Sequence, residues 1–79
     1  MAHITPRQIR AARALLGWSQ TELADRSIVS LSSVIRLEQG KSTTTDIYFR
    51  VCQALEDAGV VFLPSGRQGE GVRLSTPDQ

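Results

Sequence analysis

DRSIVSLSSVIRLEQGK, residues 25–41, holds two stretches of helical character that meet at Ser27-Ile28-Val29-Ser30. Whether this is one helix or two decides the fold. The junction has neither Gly nor Pro to turn the chain, yet each half carries its own end signals. Upstream, Ser19-Gln20-Thr21-Glu22 has the spacing of a capping box. There the Ser19 hydroxyl and the Glu22 carboxylate would each satisfy a free amide at the start of a helix reaching about Arg26. Downstream, Ser30 is placed as an N-cap and Gly40, after Gln39, as a C-terminal stop, with Val34 and Leu37 facing inward.

The same rules extend outward from this stretch. Thr5-Pro6 opens an earlier helix whose inward face is Ile9, Ala12, Leu15 and Leu16, with Arg7, Arg10 and Arg13 toward its periphery and Gly17 at its end. Thr43 to Asp46 supplies another N-cap with an acid in the first turn. The buried stripe Ile47, Val51, Ala54, Leu55 and Ala58 follows, ending at Gly59. Beyond Gly59 the pattern changes. Val60-Val61-Phe62-Leu63 and Val72-Arg73-Leu74 are short β-branched or aromatic runs around a turn-rich segment, expected as a β-hairpin or a strand pair, and residues 75–79 as a frayed tail.

At 79 residues the chain forms one small domain with a modest core. A single cysteine, Cys52, excludes an internal disulfide, and there is no repeated Cys/His spacing for a zinc site, so a partner chain is the remaining source of extra stability. No metal or other cofactor is expected. No apolar run approaches a membrane span and no signal-peptide pattern opens the chain, so a cytoplasmic protein is the expectation. Residues 1–41 carry six Lys or Arg against three acids, whereas residues 42–79 carry three against five. Basic charge concentrated in one half is compatible with a phosphate-facing surface and equally with an ordinary solvated one.

Two short helices around a tight turn, the second closed by Gly-Lys, have helix-turn-helix proportions. The wider stretch RALLGWSQTELADRSIVSLSSVIRLEQGK, residues 13–41, resembles the Xre/Cro/phage-repressor family of helix-turn-helix domains. Gly17-Trp18-Ser19-Gln20, Glu22-Leu23-Ala24 and Leu37-Glu38-Gln39-Gly40-Lys41 match its pattern, and the likeness covers roughly residues 5–59. It implies a mainly α, lambda-repressor-like domain of four helices, here with C-terminal strands where the family commonly has a further helix. Residues 1–59 would be the DNA-binding unit, and residues 60–79 a dimerisation element of the same domain.

By the same resemblance, double-stranded DNA is the partner, with the second helix across the backbone and the third in the major groove. Leu31, Ser32 and Arg36 match the positions that read bases. Ser19, Gln20, Ser30, Ser33 and Lys41 match or neighbour those that touch phosphates, and Arg13 with Glu38 matches an ion pair between the first and third helices. On chemistry alone, Arg36 can bridge the O6 and N7 acceptors of a guanine, and Leu31 suits a thymine methyl. Ile35 fits a methyl contact or burial equally well. Asp25 stands where relatives present an acid to RNA polymerase. Relatives often place Gly in the turn where this chain has Ile28, so that position is either strained or rerouted, with Ile28 or Val29 packed inward.

The expected function is a sequence-specific transcriptional regulator, a repressor with activation through Asp25 as a further role, that binds near-palindromic DNA as a homodimer and acts on its own promoter. A mobile-element switch, a restriction controller and an autoregulating antitoxin all fit. A protein-interaction module that keeps the fold without binding DNA is the alternative class. An enzyme is not expected: there is no carboxylate pair, no nucleophile beside a base and no phosphate loop leading into a helix. No small-molecule ligand is expected either. Val60, Val61, Phe62, Leu63, Val72 and Leu74 are the expected dimer surface, through strand pairing between subunits.

Overall fold

A computed structural model describes residues 3–75. Its elements run α1 (Pro6–Leu16), α2 (Gln20–Ser27), α3 (Leu31–Glu38), α4 (Thr45–Asp57), β1 (Val60–Leu63) and β2 (Gly71–Leu74). The stretch 25–41 is therefore two helices. The part of the expected tail beyond Ser75 lies outside the described residues.

Every helix begins on a hydroxyl. Thr5, Ser19, Ser30 and Thr44 each take extended backbone, and their side-chain oxygens accept from the amides of Gln8, Glu22, Ser33 and Ile47. At the start of α2 only half of the expected capping box forms. The Glu22 carboxylate turns outward to Arg26, one turn on, at 3.0 Å. The complete box stands instead at α1, where the Gln8 side chain accepts from the Thr5 amide at 2.9 Å.

Three helices close by the same arrangement, a left-handed residue whose amide and the next amide return to the last turn. Gly17 and Trp18 close α1, Ile28 and Val29 close α2, and Gly40 and Lys41 close α3. Ile28 is the sole non-glycine residue at positive φ among the described residues, at 58°, and 79% of its surface is exposed. The turn is thus the strained one of the two alternatives, while Val29 packs against the core.

Ile9, Ala12, Leu23, Ala24, Val34, Leu37, Val51, Leu55 and Val60 form the core, drawn from all four helices and β1. Cys52 is buried, and Ile47, Ala54 and Ala58 are half-buried at the margin of the α4 stripe. Leu15 departs from expectation: it is 44% exposed. Gln8, two turns earlier on the same side of α1, is covered by the hairpin, whose carbonyls at Leu63 and Gly71 both accept from its amide at 2.9 Å.

The strands pair antiparallel, with Val60 opposite Leu74, Val61 opposite Arg73, Phe62 opposite Val72 and Leu63 opposite Gly71. Period-two alternation puts Val60, Phe62, Val72 and Leu74 on one face, and that face packs on the helices. Four of the six residues expected to form a dimer surface are thus committed to their own core or its edge. Val61 and Leu63 occupy the opposite face.

Candidate nucleic-acid interface

The inward side of α3 is Val34, Leu37 and Glu38, all buried. Helical periodicity then puts Ser32 and Arg36, one turn apart, along the opposite and outermost line, with Leu31 and Ile35 flanking it. The exposures agree: Ser32 and Arg36 are exposed, Leu31 is 43% exposed and Ile35 is half-buried. The expected base-reading residues therefore share one surface. Ile35 sits at its margin, between the two readings open to it.

Glu38 fixes the angle of this helix. Only 3% of it is exposed, and its carboxylate accepts from Arg13 Nε at 2.8 Å, Arg13 Nη2 at 3.1 Å and Gln20 Nε2 at 3.0 Å. The Arg10 guanidinium donates to the Glu38 carbonyl. One residue at the end of α3 thus ties together the first three helices. A buried ion pair of this kind fixes geometry more than it adds net stability, because both charges lose water. Gln20 is held in this cluster by its side-chain amide.

At the other end of α3, the Ser30 hydroxyl lies 2.8 Å from that of Ser33 and 3.2 Å from that of Ser32. These hydroxyls gather beside the first-turn amides, where the helix dipole favours an anion. Ser19 is exposed at the start of α2 with its hydroxyl on the Glu22 amide at 3.0 Å. Lys41, just past α3, is exposed and makes no ion pair among the described residues, and the same holds for Asp25 on α2.

Other charges are engaged elsewhere. Arg26 pairs with Glu22 and stacks over Trp18 at 4.6 Å, and Arg50 pairs with Asp46 at 2.8 Å. Arg7, largely exposed, meets Glu70 at 3.2 Å. Glu70 also accepts from the Thr5 hydroxyl at 2.5 Å, and this hydrogen bond, with Arg7 beside it, lowers its pKa. Burial pushes the Cys52 thiol up to about 11, which leaves it protonated and a poor nucleophile near neutral pH. Among the described residues no cluster of His, Cys, Asp or Glu could hold a metal, and no helix is long and apolar enough to cross a membrane.

Two contributors escaped sequence reasoning. Gln8 carried a signal, the T-x-x-Q spacing of a capping box over Thr5 to Gln8, but its grip on the hairpin had none. The second is the main-chain carbonyl of Ser42, which accepts from Arg36 Nε at 3.3 Å and Nη2 at 3.1 Å. A backbone acceptor leaves no residue-type signature. A family model described as helix-turn-helix matches residues 9–56, which run from within α1 through most of α4. No curated protein matches the chain.

Proposed function

The chain belongs to the Xre/Cro/phage-repressor family of helix-turn-helix domains and is of the DNA-binding transcriptional regulator kind; from that premise we propose that it is a sequence-specific repressor acting as a homodimer on near-palindromic operators, its own promoter among them. One observation carries the reading. Ser32, Arg36 and Leu31 stand together on the free side of a helix whose other side is locked through Glu38. Such a helix presents base-reading chemistry in a fixed orientation, flanked by the hydroxyls of Ser30 and Ser33 at one end and by Lys41 at the other. Ser19 and Gln20 would complete the phosphate contacts from α2.

For the dimer, the free face of the hairpin supports a contact through Val61 and Leu63 and through pairing of strand edges between subunits. Val60, Phe62, Val72 and Leu74 serve it indirectly, by seating the hairpin on the helices. Asp25, exposed on α2, supports a contact with RNA polymerase that would add activation. In that case Asp25→Asn abolishes activation at normal DNA occupancy.

Footprinting of the purified chain on the DNA beside its own gene tests the proposal. The expected result is a two-fold-related protected site with half-site centres roughly 34 to 36 Å apart. Binding that shows no sequence preference and vanishes with salt would sink the sequence-specific reading.

A further inference from the structure

Ser32 and Arg36 form the outermost line of α3, opposite Val34 and Leu37. A groove that receives this helix meets Arg36 along its floor. Yet Arg36 is not loose in solvent. Its Nε and Nη2 both donate to the Ser42 carbonyl oxygen, at 3.3 and 3.1 Å, while its own carbonyl accepts from the Lys41 amide at 2.9 Å. One residue holds the loop after α3 by side chain and by main chain.

A guanidinium presents five N–H donors in a rigid plane. The Nε hydrogen and the near hydrogen of Nη2 form its side edge. Nη1 and the far hydrogen of Nη2 form its end edge. The Ser42 carbonyl occupies the side edge and leaves the end edge free, two parallel donors of the spacing that matches guanine O6 and N7.

Resting on the DNA-binding reading above, the geometry points to a backbone-positioned specificity contact: the Ser42 carbonyl holds Arg36 by its side edge and so presents its end edge to one guanine in each half-site. Ser42 is a positioning residue that acts through its main chain, so specificity depends on the length and path of the loop after α3. That path is set by Gly40 at φ 77° and by Thr44, whose hydroxyl accepts from the Ile47 amide to start α4. An arginine already held in place loses less rotamer freedom on binding than a free one. Lysine cannot replace it, because a point charge lacks the fork.

The test uses the full chain and the site it selects from a random duplex library, with each guanine replaced in turn by 7-deazaguanine, which lacks only the N7 acceptor. One position per half-site is expected to respond, with wild-type binding weakened roughly ten-fold. Arg36→Lys, weaker at the outset, is expected to show no further loss there. A glycine inserted between Lys41 and Ser42 displaces the carbonyl and is expected to reduce that guanine preference several-fold, with a thermal melt verifying the fold. An insertion variant with unchanged affinity and guanine preference overturns the positioning role. If no guanine responds, Arg36→Lys binds as wild type does and Arg36→Gln only lowers the salt slope, the arginine lies on phosphate and the guanine contact is overturned. If wild type selects no site at all, the DNA-binding reading fails first and takes this inference with it.

Discussion

The corner that leads into α3 and the corner that leads out of it close with the same pair of hydrogen bonds, built on different residues. Entering, Ile28 and Val29 donate to Asp25 and Ala24 at 3.3 and 3.1 Å; leaving, Gly40 and Lys41 donate to Leu37 and Arg36 at 3.1 and 2.9 Å. The left-handed position is a β-branched residue in the first case and glycine in the second. Side-chain support differs as well. The exit is bound to α1 and α2 through Glu38, whereas at the entry the Ser27 hydroxyl is buried without a hydrogen-bond partner among the described residues, and Val29 alone packs inward. The orientation of α3 is thus secured at the end that carries Arg36 and Lys41, and the strain is placed at the other.

The strongest way to break this asymmetry is Arg13→Met. It leaves the almost fully buried Glu38 carboxylate without its charge partner, and a loss of about 3 to 5 kcal/mol is expected in urea unfolding. A loss under about 1 kcal/mol would mean that the exit is not specially anchored. Next comes Gly40→Ala, expected to cost about 1 to 2 kcal/mol. A β-carbon there would sit 3.7 Å from Pro6 Cγ, ordinary contact, so the cost is conformational and not steric. Ile28→Gly runs the other way. Relief of left-handed strain exceeds the entropy that glycine forfeits, for a net gain of about 1 kcal/mol, or roughly 4 to 8 °C in melting temperature for a chain of this size. An unchanged or lower melting temperature would show that the exposed isoleucine stabilises the domain. The smallest effect is Ser27→Ala, a gain of up to about 1 kcal/mol from removing an unpaired buried hydroxyl. A clear loss would reveal a partner for that hydroxyl.

Much of this architecture was legible in the chain because it is locally encoded. Hydroxyl caps, glycine stops and inward apolar spacing act within one or two turns, and they placed all four helices and both strands. The spaced motif residues identified the family and, through it, the Arg13–Glu38 pair. What escaped were choices between partners of similar local merit. Glu22 could reach back to the Ser19 amide or out to Arg26, and it pairs with Arg26. Leu15 fits the apolar spacing of α1, yet it is exposed, because spacing marks a helix face and burial depends on what packs against it.

Sequence by itself determined the element boundaries, the family and the side of α3 that is free, since backbone satisfaction and helical period are properties of neighbours in the chain. Only the tertiary structure decided which hairpin face is buried, that Ile28 keeps the left-handed backbone while its side chain stays in solvent, and that a carbonyl six residues away holds Arg36. Those depend on surfaces meeting across the fold and on main-chain atoms, which every residue carries and no residue type announces.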